Sequence, residues 1–487
     1  MMRIRKKTLD KATENAITQA AAAGIPLPFD RYEDQVPVCR FGQMGLDCKA
    51  CTQGPCRVNP FDATNGTACG RDREGIVSAS FLRLVADGAV ANSSFAGTQA
   101  KVAGAVFDGI AAANEGMLSS ADLLRKAIDV ADASFGALAH RANGAVKTIQ
   151  VGIGTLNPDK INILLLGNIP AGQAGKIAKA LGSNAKVNLV GAVGGEAAGL
   201  PVAGNYNSQE ALLVTTAVDG VVVGKACVSP GFLALAAKQG VPVVEADKFD
   251  AAGLLDKAET HYRQNAGRSI AARFARVAAT VGFAASTFAS LSAQQWGELA
   301  KSGIKGVAIV GGCNNAIETQ DAAIVRQADE FLKNDVLVIA SGCAAVGLAK
   351  AGYMDPAKVG SLAGKGLQAF LAALSGATGT QLPAVLEAGS CWELPTAVEL
   401  AQLFQKRLKL PLAAAMPELS RPAAWSSALA VAAQGVPTYV GPVLPLDGGL
   451  QTVQALNDML KARGGSIVGP GQIGDPEAFV NSVIGNE

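Results

Sequence analysis

Cysteine is the residue type of this 487-residue chain best placed to do chemistry, and the nine cysteines fall into two sets. Five lie between Cys39 and Cys69, and four of these, Cys48, Cys51, Cys56 and Cys69, read C-x2-C-x4-C-x12-C. One short loop with that spacing can wrap a tetrahedral thiolate site, so a metal centre is expected. Zinc sites usually pair two C-x2-C knuckles or add histidines. Here one knuckle is extended by a third cysteine and the fourth comes from a separate turn. That suits an iron–sulfur cubane, a body wider than one ion that needs thiolates from several directions. Gly54-Pro55 and Gly70 supply the tight backbone a bulky inorganic cluster needs beside it. Structural zinc and unrelated buried cysteines are the alternatives. A disulfide framework fits poorly, because nine is odd and the basic opening Met1–Lys7 lacks the apolar core of a secretion signal.

The second set, Cys227, Cys313, Cys343 and Cys391, takes its meaning from the elements around it. From Pro158 onward short apolar strands alternate with helices, the signature of parallel sheets. Strands are expected at Ile161–Leu166, Val187–Val190, Gly220–Val223 and Val241–Glu245, with helices such as Ala171–Leu181 and Pro230–Lys238 between them. After a helix-rich bridge over Gly267–Lys301, a further series is expected at Gly306–Val310, Val336–Ala340, Ala384–Glu387 and Val436–Val440. Ligands of open α/β sheets gather beyond the carboxyl ends of strands, where loops diverge and helix N-termini present N–H groups. Cys227 follows the strand ending at Val223, Cys313 the one ending at Val310, Cys343 the one ending at Ala340, and Cys391 the one ending at Glu387. A lone cysteine beside a glycine is usually a small hydrophobe. Four in the same topological slot point to a shared second metallocluster, with independent core thiols as the alternative.

The N-terminal third reads differently. A helix is expected over residues 8–23, stopped by Gly24, Pro26 and Pro28. From Glu74 to about Lys147 the pattern is helical, broken near Gly116 and restarted at Ser119 or Ser120. The expected architecture is therefore α/β and multidomain: an N-terminal helical iron–sulfur domain over 1–157, then two Rossmann-like, doubly wound parallel α/β domains over 158–300 and 301–487. With 49% hydrophobic residues, 5% aromatics and 56 glycines, the cores must be built from Ala, Val, Leu and Ile. A net charge of +2 gives no field that argues for nucleic acid or a membrane surface. No stretch approaches the ~20 apolar residues of a membrane span. A soluble cytoplasmic protein of an anaerobic, reducing compartment is expected. Gly172–Ile177 lacks the G-x4-G-K-[ST] frame of a phosphate loop, Gly191–Gly195 lacks G-x-G-x-x-G, and Ser390 has no neighbouring histidine to activate it. The two histidines, His140 and His261, read as solvated helix faces.

Cys39-Arg-Phe-Gly, the Cys48-x2-Cys51-x4-Cys56-Arg run and Cys69-Gly resemble the N-terminal cluster region of the nickel-dependent, anaerobic carbon monoxide dehydrogenases. Cys227 in Val-Gly-Lys-Ala-Cys-Val-Ser-Pro, Gly312-Cys313-Asn314-Asn315, Ser341-Gly342-Cys343 and Gly389-Ser390-Cys391 resemble, in order, four ligand motifs of that family's active-site cluster. The resemblance thus covers nearly the whole chain. It implies a relay [4Fe-4S] cluster on Cys48, Cys51, Cys56 and Cys69. It also implies a second iron–sulfur cluster on Cys227, Cys313 and Cys343, with Cys391 reaching nickel. A homodimer with a cluster shared across its twofold axis through Cys39, and a ferredoxin-like electron carrier, are implied as well.

The sequence departs from the family where protons and the pendant iron are handled. Asp47 stands where a tandem cysteine belongs, and Gly167-Asn168-Ile169-Pro170 stands where the family has Gly-His-Asn-Pro. Gly191–Glu196 lacks the family's further cysteine, the relay histidines fall on Ala91–Phe95, and the active-site lysine falls near Ala423. Oxidising CO with water needs a Lewis-acidic metal to acidify bound water and a base to remove protons. No or very weak CO oxidation is therefore expected, nickel binding is left open, and no catalytic side chain is assigned. The expected function is an iron–sulfur oxidoreductase passing electrons between an active-site-like cluster and a relay cluster. A non-catalytic sensor, scaffold or metal-handling accessory protein is the alternative.

Overall fold

Runs such as Ile161–Leu166 and Val218–Val223 leave almost no polar face, and both are buried at every position, as strands of a parallel sheet covered on both faces must be. The computed structural model describes residues 5–59, 61–62, 65–115, 118–141, 144–193, 199–265, 267 and 274–485. Met1–Ile4, the break near Gly116, Gly194–Glu196 and residues 268–273 of the expected bridge lie outside them. Contacts divide the chain into two compact units, one of residues 1–34 and 140–411, the other of 35–139 and 412–487.

The first unit holds a seven-stranded sheet in the order Val243–Glu245, Val218–Val223, Ile161–Leu166, Val187–Ala192, Val202–Gly204, Lys147–Val151, Val277–Val281. Its neighbours pair parallel except at the last edge, where Lys147 lies opposite Val281 in an antiparallel ladder. The same unit carries a parallel run in which Val336–Ala340 lies between Gly306–Val310 and Val385–Glu387. Helices fill the connections, and apolar side chains on the two faces of the seven-stranded sheet form separate buried clusters. An aromatic group closes another part of this unit: the buried Phe404 ring lies 5.1 Å from Phe288, 5.8 Å from Trp296 and 6.0 Å from Phe370.

The second unit is helical around the N-terminal cysteines. Arg73–Ala96, Gln99–Glu115 and Ser120–Ala137 pack on one another and on Pro422–Ala433. A Cβ at Gly88 would collide with the Pro422 carbonyl, so the approach of those two helices requires a bare backbone there. Asn92 donates its amide to Ser134 and Ser427 at 3.1 and 3.2 Å. Leu412–Met416, Pro437–Val440 and Ser466–Val468 form a parallel run.

The expected strand ends hold at Ile161–Leu166, Gly306–Val310 and Val336–Ala340 and move by a few residues elsewhere. Ser119 caps its helix by accepting from the Asp122 N–H. Four expectations are corrected. The first helix starts at Lys11, because Asp10 accepts from the N–H groups of Ala12 and Thr13 while Thr8 bridges to Gln320. Helix ends at Ala137, and Lys147–Val151 is strand. The bridge contains the strand Val277–Val281, hidden by its alanines. His261 is buried, its Nδ1 3.2 Å from Asp219 and its Nε2 3.2 Å from Asn265 Nδ2, whereas His140 is exposed as expected but lies beyond the helix end at Ala137. No described helix is long and apolar enough to cross a membrane.

Because Phe404 is completely buried among three aromatic rings, Phe404→Ala is expected to destabilise the first unit by about 3–5 kcal/mol, read as a lowered denaturation midpoint in urea with near-ultraviolet circular dichroism as the probe.

Candidate metal centres

The N-terminal set is built on a two-residue ladder. Asp47–Cys48 pairs antiparallel with Cys56–Arg57, setting Cys48 opposite Cys56. Between them the chain turns so tightly that a Cβ at Gly54 would lie 3.0 Å from the Cys48 carbonyl and 3.4 Å from that of Cys51. Cys69 arrives on a separate turn closed by Gly70 in the left-handed region, φ +88°. Thr67 Oγ1 lies 3.1 Å from Cys69 Sγ. That hydrogen bond first, then backbone N–H donation and the Arg71 charge, hold the Cys69 thiol below its ordinary range. Arg83, from the helix Arg73–Ala96, reaches the same place: burial pulls its guanidinium down, while Cys48, by charge and hydrogen bond, and Cys69 act the other way. One cation thus interacts with both Cys48 and Cys69. Cys51 and Cys69 are exposed, Cys48 and Cys56 half-buried. Cys39 is exposed at the start of the helix Arg40–Gln43, and Asp47 is ion-paired to Lys49 at 3.3 Å.

The second set lies in the first unit. Cys227, Cys313 and Cys343 are buried and Cys391 is partly so. Cys227 is held in the left-handed region, φ +59°, which a residue with a Cβ rarely adopts. Its loop is fixed by Gln209, which donates to the Cys227 carbonyl at 3.0 Å and accepts from the Ser229 N–H at 3.0 Å. Cys343 is the second residue of the helix Gly342–Ala351. Gly342 donates to the Gly389 carbonyl at 3.0 Å, and a Cβ on Gly342 would stand 2.9 Å from the Cys391 Cβ. The loops bearing Cys343 and Cys391 therefore touch. Two buried carboxylates hold the Cys391 loop. Glu387 accepts from the N–H groups of Gly389 and Gly282 at 2.6 and 2.7 Å. Glu393 accepts from the N–H and hydroxyl of Ser390 at 3.0 and 2.9 Å and is ion-paired to Arg141 at 2.9 Å. Burial pushes the Glu387 carboxyl up, partly offset by Arg141 and the two N–H donors.

The Cys391 thiol is itself pushed well above its ordinary range, first by a hydrogen bond with Cys227, then by burial, then by the charges of Cys227, Cys343 and Cys313. Cys227, Cys313 and Cys343 therefore all lie within electrostatic reach of the Cys391 thiol. Among the described residues, no three His, Cys, Asp or Glu side chains are grouped closely enough to hold a single metal ion. A polynuclear cluster does not ask its ligands to meet at a point, and an all-sulfur donor set is the one iron–sulfur clusters take. One more observation fits a bound group. Asn168 is 2% exposed, both polar atoms of its amide lack a hydrogen-bond partner, and its backbone is bonded to Ala226, beside Cys227. Buried amides of that kind are rare unless something absent from the protein itself satisfies them.

Sequence reasoning found the nine cysteines but missed the groups that position them. Glu387 and Glu393 flank Gly389-Ser390-Cys391 and could have been suspected as strand-end and helix-start carboxylates. Arg141 and Arg83 carry no local signal, since each acts on residues far away in sequence.

A model of the Prismane/CO dehydrogenase family matches residues 129–472. "Carbon monoxide dehydrogenase 1" of Carboxydothermus hydrogenoformans is 26% identical over an alignment of 599 residues covering 94% of each chain. "Carbon monoxide dehydrogenase 1" of Methanosarcina mazei is 26% identical, over 97% of this chain and 95% of the relative. The solved structure of carbon monoxide dehydrogenase IV from C. hydrogenoformans superimposes with a TM-score of 0.85 at 24% identity, covering 99% of this chain and 98% of that one. A nickel-free carbon monoxide dehydrogenase from Thermococcus sp. AM4 gives 0.82 at 22% identity, over 99% and 96%. At those identities the structures speak for the fold.

A side chain at position 342 would push directly against Cys391. Gly342→Val is expected to lower iron and acid-labile sulfide per chain in anaerobically purified protein by about half, measured colorimetrically with far-ultraviolet circular dichroism as the folding control.

Proposed function

The chain belongs to the Prismane/CO dehydrogenase family, and from that premise we propose an iron–sulfur oxidoreductase of the carbon monoxide dehydrogenase type. In this reading Cys48, Cys51, Cys56 and Cys69 hold a relay [4Fe-4S] cluster, and Cys227, Cys313, Cys343 and Cys391 hold a second cluster at the active-site position. The observation that carries it is the convergence of Cys391 with Cys227, Cys343 and Cys313 from four separate strand-end loops. The three segments 1–157, 158–300 and 301–487 contribute in turn: the first brings the N-terminal five cysteines, the second Cys227, and the third the remaining three.

When bound, such clusters accept and give up single electrons. The chain's own residues do the rest. Thr67 holds the Cys69 thiol down by its hydrogen bond and Arg83 interacts with Cys48 and Cys69, at a set where a ferredoxin-like carrier can approach. In this reading the exposed Cys39 meets its counterpart in a second copy of the chain, with Asp47, ion-paired to Lys49, a poor second donor. At the buried set, Glu387 and the Arg141–Glu393 pair fix Cys391, the position that would reach nickel. An anaerobic cytoplasm is the compartment these thiolates require.

CO oxidation is the part of the family chemistry this chain is least equipped for. Asn168 offers an amide where an imidazole would be needed, and His261 is engaged with Asp219. The same observation favours a second reading, a cluster-bearing sensor or metal-handling accessory protein without turnover. A reversible midpoint potential with fast electron exchange supports the first reading, and a redox-silent or zinc-filled protein supports the second.

Elemental analysis of anaerobically purified protein is expected to give about eight irons per chain, with electron paramagnetic resonance signals of reduced clusters after dithionite. CO is expected to reduce a viologen dye slowly or not at all in its presence, and a robust rate would overturn the expectation of weak CO oxidation.

A further inference from the structure

A buried ion pair lies behind the second cysteine set. Lys350, two turns beyond Cys343 on the helix Gly342–Ala351, places Nζ 2.7 Å from Asp321 Oδ2, and the two side chains are 4% and 3% exposed. The other carboxylate oxygen, Oδ1, accepts from Asn314 Nδ2 at 2.9 Å and from Asn205 Nδ2 at 2.8 Å. Asn314 adjoins Cys313 in sequence, and the Asn205 amide also lies 3.4 Å from the Cys343 carbonyl. The carboxylate is therefore one amide removed from two cysteine positions of the set. Asp321 itself sits at φ +68°, in the left-handed region, where the hydrogen bonds and the ion pair hold it. On its far side the pair lines a cavity of about 250 Å³ whose other ionisable lining residues are Asp10, Lys11 and Arg276.

Burying two charges is costly, and a hydrophobic pair of similar volume is often no less stable. An unused ion pair with a cavity on one side and a cysteine set on the other is suited to exchanging a proton when charge changes nearby. Resting on the reading that the second set holds a redox cluster, we infer that Asp321 and Lys350 form its charge-compensating proton site, filled through the 250 Å³ cavity. Reduction adds one electron, supplied by a low-potential one-electron carrier, to the cluster. The added negative charge disfavours the nearby carboxylate in a medium of low dielectric. A proton passes from Lys350 Nζ to Asp321 Oδ2, an N–H bond breaking as an O–H bond forms, and Lys350 takes a replacement proton from water in the cavity. One electron and one proton enter together, and oxidation reverses both. Asn314 and Asn205 carry no proton; their amide dipoles position the carboxylate.

The test is the midpoint potential of the second cluster in the full-length holoprotein, followed by electron paramagnetic resonance in a redox titration at several pH values. The potential is expected to fall as pH rises in the unaltered protein, and to lose that dependence in Asp321→Asn while iron content is retained. A reduced-minus-oxidised infrared difference spectrum should show a protonated carboxyl in the unaltered protein that is missing from the variant. A pH-independent potential in the unaltered protein, or a dependence that survives in Asp321→Asn, overturns the inference. If Asp321→Asn does not fold, Lys350→Gln is the second variant and is expected to lose the same dependence; a dependence that survives in it overturns the inference. Absence of any second cluster signal would instead sink the functional reading on which the inference rests.

Discussion

Four sulfur atoms do not share a confined space unless something compels them. The Cys391 thiol is pressed against Cys227 and faces Cys343 and Cys313, and each neighbour makes its ionisation harder. Such crowding would disperse in a flexible chain. Here it persists because each cysteine hangs from the end of a buried parallel strand, and because the last of them is gripped by Glu387 on one side and by Glu393 with Arg141 on the other. Thiolates crowded in this way are stabilised by a positively charged metal body that takes them as ligands. In the proposed reading the loops, the two carboxylates and the left-handed backbone at Cys227 are the framework that holds such a body.

The N-terminal set is made by another route. A two-residue ladder and one turn gather its cysteines within a short stretch of chain, so long-range topology contributes little. Its charge is handled by Arg83 and by the hydroxyl of Thr67 rather than by burial. Exposure of Cys51 and Cys69 suits a centre that must hand electrons to another molecule, whereas burial of Cys227, Cys313 and Cys343 suits one from which water is to be kept.

Much of this was readable from residue order because the strands that carry the second set are continuous apolar runs. Gly306–Val310 and Val336–Ala340 have only one way to be buried, and their ends locate Cys313 and Cys343. Val277–Val281 and Leu412–Met416 were missed because alanine fits helix and strand alike, and in both the sheet decides. His261 was misjudged because polar neighbours such as Glu259 and Arg263 face outward while it alone turns inward to Asp219. The partners Arg141–Glu393 and Lys350–Asp321 are brought together only by the fold, across 252 residues in the first case. Local pattern marks where ligands sit, and tertiary structure alone shows what steadies them.

The most direct test of the central claim is anomalous X-ray diffraction at the iron edge from crystals of the anaerobically purified protein. Iron peaks are expected at two places in each chain, one enclosed by Cys48, Cys51, Cys56 and Cys69, the other by Cys227, Cys313, Cys343 and Cys391. Iron at the N-terminal loop alone, with Cys227, Cys313, Cys343 and Cys391 free of metal, would contradict the account.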